Sequence, residues 1–132
     1  MKNLFQRFGV IAFVAVIALS AVGCNNEQNP FPGTWEYKIT YTEANNGGTY
    51  TATLTFTEDA WTMRNVRAGS SVASQNYDYT YNGSYTVNGM IATLIRSGSG
   101  QTWGTAEPSS TGDRIIFSYA PPSSGHTVYT RR

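Results

Sequence analysis

Residues 32–42, PGTWEYKITYT, leave a Pro-Gly turn and then alternate between two kinds of side chain. One face of this extended stretch carries Trp35, Tyr37, Ile39 and Tyr41, and the other face carries polar residues. Because successive side chains of a strand point to opposite faces, the pattern predicts a β-strand with one face on a core and one in water. The stretch therefore indicates an all-β protein.

The same alternation continues along the chain in short segments that are separated by turn residues. The pattern predicts eight strands, at residues 34–42, 49–57, 60–67, 76–87, 90–96, 101–106, 113–119 and 126–131. The links are short, and Asn88-Gly89 is typical of a tight hairpin, which favours an antiparallel up-and-down order. Eight such strands can curl and close, which removes the exposed edges. We predict an all-β, eight-stranded antiparallel up-and-down barrel over residues 33–132.

The N-terminal residues have the composition of an export signal. Lys2 and Arg7 give a basic start, and an apolar stretch follows at residues 8–22. That stretch is too short to span a bilayer comfortably as a mature helix. We predict that residues 1–23 are a signal peptide and are not part of the folded domain.

Gly23 and Cys24 end this segment in a way that resembles the lipobox of bacterial lipoproteins, although Ala21 stands where Leu is usual. Cys24 is the only cysteine, so it has no partner for an intrachain disulfide. We predict a lipid anchor on Cys24, a flexible tether over residues 24–32, and a place in the bacterial cell envelope, at the outer membrane or the cell surface. The alternative is an ordinary signal peptide in which Cys24 lies near the cleavage point.

The start of the first predicted strand resembles a known motif. Gly33 and Trp35 are similar to the Gly-x-Trp motif of the lipocalins and the wider calycin group. The resemblance implies a barrel in which this Trp packs at a closed end, beneath a basic side chain from the last strand. Arg131 matches that basic residue, and alternating strand directions lead it to Trp35 by connectivity. The barrel segment is short for a lipocalin, and no added helix is predicted.

Aromatic residues gather at the opposite, open end of the predicted barrel. The candidate ligand-binding residues are Tyr41, Tyr50, Tyr77, Tyr79 and Tyr119, with Trp103 beneath them. Tyrosine combines apolar area with a hydroxyl group, which suits amphipathic ligands. We therefore predict a membrane-anchored, lipocalin-like lipoprotein that binds a small amphipathic or apolar ligand at this end.

A protein-binding module of the envelope is the alternative function. Such a module would inhibit a protease or lysozyme, or contact a host or surface protein. The interior of the barrel discriminates between the two classes. A hollow barrel favours the small ligand, and a filled barrel with exposed aromatic residues on its rim favours the protein partner.

The charge pattern and the polar residues argue against other classes. Nine Lys or Arg against eight Asp or Glu give a formal net charge of +1, so nucleic acid is not an expected partner. His126 is the only histidine, and Glu58 and Asp59 lie in a predicted tight turn. No Ser, Thr or Cys has an evident base partner. We expect no enzymatic activity, metal or cofactor, and we expect a monomer.

Overall fold

The computed structural model describes residues 29–132, so the predicted signal peptide, Cys24 and the first part of the predicted tether lie outside the described residues. The strands are β1 (Gly33–Thr40), β2 (Thr49–Phe56), β3 (Ala60–Ala68), β4 (Tyr77–Asn88), β5 (Ile91–Arg96), β6 (Thr102–Pro108), β7 (Arg114–Tyr119) and β8 (His126–Arg131). They are antiparallel to their neighbours and close in the order β1 to β8. The predicted fold class is confirmed, and each predicted strand boundary lies within two residues of the observed one.

Alternation of side chains explains why these segments form strands. In β2 the buried residues are Ala52, Leu54 and Phe56, and half-buried Thr residues stand between them. Thr is β-branched and favours the extended backbone, so it suits the outer face of a strand. β2 pairs with β1 at eight consecutive positions without a register shift. A continuous ladder of this kind keeps the apolar face of both strands toward the inside.

The core fills the barrel from its closed end, where β1 and β3 begin and β8 ends. It consists of fourteen buried residues, and all of them are apolar or aromatic. They are Phe31, Trp35, Ala52, Leu54, Phe56, Trp61, Met63, Tyr85, Ala92, Leu94, Ala106, Ile115, Phe117 and Tyr129. In a barrel of eight strands the interior is only just wide enough to be filled by side chains.

The last residues of the predicted tether pack against the closed end. The Phe31 ring is fully buried, with its centroid 5.5 Å from that of Phe56 and 6.3 Å from that of Tyr85. Its carbonyl oxygen accepts a hydrogen bond of 2.9 Å from Nε1 of Trp35. Asn29 donates from Nδ2 to the Tyr85 hydroxyl at 2.8 Å. Asn29 and Phe31, in the last part of the predicted tether, therefore pack against the closed end of the barrel.

The geometry of the closed end gives a physical reason for the Gly-x-Trp motif. The Arg131 guanidinium carbon lies 4.3 Å from the centre of the Trp35 ring, and its Nη2 donates to the carbonyl oxygen of Pro30 at 3.1 Å. Gly33 has a φ of +134°, and a Cβ there would come within 3.2 Å of Nη1 of Arg131. A side chain at this position would strain the backbone and crowd the guanidinium. Glycine therefore leaves room for the cation–π contact between Arg131 and Trp35.

Candidate functional site at the open end of the barrel

The wall of the barrel is uneven in height around the open end. The four strands β1 to β4 form a tall sheet, with eight ladder pairs between each neighbouring two. β5 ends at Arg96, opposite Gly83, so residues 77–82 of β4 extend beyond the end of β5 toward the open end of the barrel. On the other side, β1 pairs with β8 at only two positions, both near the closed end. Near the open end, the two outer strands of the tall sheet, β1 and β4, therefore have no ladder pairs with β8 and β5.

β5 bends into the barrel at its upper end. The register between β5 and β6 shifts between Leu94 and Ile95, and the Ile95 carbonyl oxygen accepts a hydrogen bond of 3.2 Å from Nε1 of Trp61. A Cβ at Gly83 would overlap this oxygen. Glycine in a strand often marks such a close backbone approach. Trp103, at the beginning of β6, packs against the core.

Aromatic rings fill the interior at the level of Trp103. Its ring centroid lies 4.7 Å from that of Tyr81, 6.2 Å from that of Tyr119 and 6.3 Å from that of Trp61. The Arg96 guanidinium lies 5.2 Å from the Tyr81 ring and 5.4 Å from the Trp103 ring. Within residues 29–132, the buried Nε1 of Trp103 has no hydrogen-bond partner. The interior at this level is therefore a cluster of side chains.

A row of tyrosine rings continues along the inner face of the tall sheet, from β1 to β4. We call Tyr37, Tyr50, Tyr77 and Tyr79 the aromatic rim. Consecutive ring centroids in this order are 6.2, 6.5 and 5.1 Å apart, and the last pair is stacked. Tyr79 ends the row with 56% of its surface exposed. The aromatic rim therefore offers a ring to solvent where β4 rises above β5.

Two polar residues of β3 border the aromatic rim and were not among the predicted site residues. Asn65 accepts a hydrogen bond of 3.0 Å at Oδ1 from the Tyr50 hydroxyl. The Arg67 guanidinium carbon lies 4.2 Å from the Tyr41 ring, and its Nη2 donates to the carbonyl oxygen of Asn45 at 3.2 Å. The buried Nε of Arg67 has no hydrogen-bond partner in the part of the chain that is described. Asn65 and Arg67 lie two and four positions after the buried Met63, so their side chains point to the same, inner face of β3. The alternation in the sequence could therefore have identified both residues.

Burial changes the acidity of the tyrosines at this end. Burial is the main cause that raises the pKa of Tyr50 to about 12, and the neighbouring Tyr119 and Tyr77 add to the rise. Burial also raises the pKa of Tyr119, with a smaller contribution from Tyr81. A hydroxyl that is removed from water loses solvation of its charged form, so it keeps its proton to higher pH. Tyr50 and Tyr119 therefore present neutral hydroxyl groups at neutral pH.

The structure brings most of the predicted ligand-binding residues together. Their rings contact one another and do not surround an open space. Tyr50, Tyr77 and Tyr79 are part of the aromatic rim, and Trp103 packs against Tyr119 below it. Tyr41, the sixth of these residues, lies beneath the guanidinium of Arg67. Ring-to-ring contacts therefore occupy the space in which a hollow barrel would hold a ligand.

Open depressions lie outside the aromatic rim, and one of them is lined in part by Tyr41, a predicted ligand-binding residue. One of about 690 Å³ borders the closed end beside Arg131, and one of about 650 Å³ lies beside the loop from Tyr41 to Gly48. A third, of about 470 Å³, lies by Asn82 and Ser97, beside the end of β5. The aromatic rim lines none of these three.

In the comparisons with known proteins, no family model, no curated protein and no solved structure matches this chain. Across residues 29–132, no helix is both long and apolar enough to cross a membrane. The same residues contain no group of three His, Cys, Asp or Glu side chains that could hold a metal ion.

Proposed function

We propose that the protein is a non-enzymatic, monomeric lipoprotein of the bacterial cell envelope that binds another protein through the open end of its barrel. The observation that carries this proposal is the exposed ring of Tyr79, at the end of a row of rings that contact one another. Exposed Tyr side chains are enriched where proteins bind each other, because the ring is rigid, apolar and able to form a hydrogen bond. The filled interior favours a surface contact over an enclosed ligand.

A lipocalin-like relationship is part of the same proposal. What supports it is the contact between Trp35 and Arg131 beside Gly33, within a closed barrel of eight strands. In the lipocalins and calycins this motif marks the closed end, so binding is expected at the end away from it. The aromatic rim lies at that opposite end.

The proposed lipid anchor gives the barrel an orientation. Asn29 lies at the closed end and is five positions after Cys24, so the span between them comprises five residue steps. Fully extended, this span reaches about 16–18 Å. A lipid on Cys24 would hold the closed end near the membrane and would point the aromatic rim away from it. This orientation suits the binding of a protein that approaches from the aqueous side.

Labelling with radioactive fatty acid tests the anchor separately from the binding site. Cells that express the full chain should incorporate the label, and Cys24→Ser should lose both the label and the membrane fractionation. Incorporation that survives the substitution would contradict lipidation at this residue and would leave the open-end site unaffected.

Photo-crosslinking in cells tests the binding site. A benzoylphenylalanine at Tyr79 should give a discrete adduct with one protein upon irradiation. The matched control is the same amino acid at Val128, which is 40% exposed on the outward phase of β8. Adducts of the same protein from both positions, or from Val128 alone, would contradict a recognition surface at the open end.

A small amphipathic ligand is a second candidate, and one specific observation favours it. Nε1 of Trp103 and Nε of Arg67 are buried without hydrogen-bond partners within residues 29–132. Buried donors are normally satisfied, so an acceptor group of a ligand could complete them. A titration of the full chain with fatty acids, tetrapyrroles and small aromatic compounds would quench Trp fluorescence if Trp103 contacts such a ligand. Trp103→Phe should abolish saturable quenching, and the absence of quenching by every compound would exclude this candidate.

A further inference from the structure

The upper part of β4 has backbone groups that face no neighbouring strand. The Asn82 carbonyl oxygen accepts a hydrogen bond of 2.9 Å from the backbone N–H of Ser97, so it points toward the β5 side. Backbone groups of alternate residues in an antiparallel strand point the same way, so those of Thr80 and Asp78 also point to that side. β5 ends at Arg96 and does not reach them. Among residues 29–132, these two N–H and two C=O groups have no hydrogen-bond partner.

The side chains around this edge leave it accessible. Asp78 turns its carboxylate to Arg64 on the outer face of the sheet, where Nη2 and Oδ2 are 2.6 Å apart. Thr80 is exposed and short, and Tyr79 is more than half exposed on the inner face. Natural sheets commonly protect an edge with a charge that points inward, a proline, a bulge or a covering loop. Residues 77–82 contain no proline and pair with β3 without a bulge.

We propose that this edge of β4 accepts an extended segment of a partner protein as an added strand. The inference rests on the proposed function, because it states how the open end engages its protein partner. Main-chain hydrogen bonds to Asp78 and Thr80 would supply part of the affinity, as in other cases of strand addition. The alternating side chains of the incoming segment would supply the specificity.

The residues beside the edge define the chemistry of that segment. Its inward side chains would meet the exposed ring of Tyr79, which favours an apolar or aromatic residue. They would also approach Arg96, whose guanidinium lies over two aromatic rings and has no carboxylate partner among residues 29–132. An unpaired cation at this place favours an acidic residue on the same face of the segment. The proposed occupant is therefore an extended segment in which every second residue, on the face toward the barrel, is apolar or acidic.

A capped heptapeptide of sequence Thr-Phe-Thr-Glu-Thr-Phe-Thr is the probe. Binding of its fluorescein-labelled form to the full chain in detergent is measured by anisotropy, for the wild type, Thr80→Val and Thr80→Pro. Proline removes the N–H that points to the open edge but leaves the ladder with β3 intact, since edge strands tolerate proline on their solvent side. Thr80→Val keeps this N–H and a β-branched side chain. We expect Thr80→Pro to weaken binding at least about tenfold and Thr80→Val to change it less than about twofold.

A second peptide, N-methylated at alternate residues, keeps the side chains but removes the N–H groups that pair with one neighbour. The proposal requires that this peptide bind at least about tenfold more weakly, and that the unmodified peptide slow the hydrogen exchange of the Asp78 and Thr80 amides. Equal binding of both peptides, with loss of binding in Tyr79→Ala, would overturn strand addition and retain the aromatic recognition surface. Absence of binding at 1 mM peptide, or a concentration-dependent dimer of the chain that Thr80→Pro abolishes, would also overturn the proposed occupant.

Discussion

The burial of Phe31 makes the segment before β1 a part of the barrel, and Phe31→Ala tests this directly. The ring is fully buried and contacts Phe56 and Tyr85. Removal of a buried Phe side chain typically costs 3–5 kcal/mol, from lost transfer free energy and from the cavity that remains. We expect about 3 kcal/mol here, because the hydrogen bond from Trp35 ends on the main-chain carbonyl of Phe31 and is retained. For a domain of this size the melting temperature should fall by about 12–24 °C.

Urea unfolding of the full chain, followed by circular dichroism, measures this free energy. The matched control is Tyr79→Ala, which removes an aromatic ring that is 56% exposed and should cost less than about 1 kcal/mol. A loss below about 1 kcal/mol for Phe31→Ala would mean that the ring does not close the barrel. Residues 29–32 would then behave as the tether that their composition predicts.

Three other substitutions or conditions test further contacts of the barrel. Trp35→Ala should lower the free energy of unfolding by about 3–5 kcal/mol, measured by urea unfolding. A double-mutant cycle with Arg131→Ala should give a coupling energy above about 0.5 kcal/mol, and additive losses would contradict a contact between the two side chains. Gly83→Ala should destabilise the fold by more than about 1 kcal/mol in the same assay, because its Cβ would overlap the Ile95 carbonyl; an unchanged stability would contradict the bend of β5. The pKa of Tyr50 is raised to about 12 in the folded state, so its contribution to stability should be constant below about pH 10 and should be lost as the pH rises toward 12. Tyr50→Phe should reduce the alkaline fall in a pH series of melting curves, and an identical fall in both proteins would contradict the shift.

The barrel was predictable because its strands cover one core. Alternation in β1 and β2 identifies an apolar face, and short links leave little choice but antiparallel neighbours. The approach of Arg131 to Trp35 follows from strand count alone, since an even number of alternating strands returns to the same end. Such features depend on local pattern and connectivity, which a single sequence contains.

The details that shape the site depend on register and on packing between distant segments. The height of β4 above β5 follows from the pairing of Gly83 with Arg96, and no local pattern specifies that pairing. The burial of Phe31 depends on contacts with Phe56 and Tyr85, which are far away in sequence. Whether the predicted rings line a chamber or fill it depends on how Trp103, Tyr81 and Tyr119 pack across the barrel. The sequence therefore predicted most of the aromatic residues that gather at the open end, but it did not predict Tyr37 as a site residue or the contacts between the rings.

We propose that the open end of the barrel is the recognition surface, and the affinity for the protein crosslinked at position 79 tests this claim most directly. Isothermal titration calorimetry with that purified protein compares the wild-type chain, Tyr79→Ala and Val128→Ala. Loss of a central aromatic contact in an interface commonly costs about 2 kcal/mol, which is roughly a thirtyfold change in Kd. We expect at least tenfold weaker binding for Tyr79→Ala and less than a twofold change for Val128→Ala. Equal affinities of all three proteins, or a loss confined to Val128→Ala, would contradict the claim.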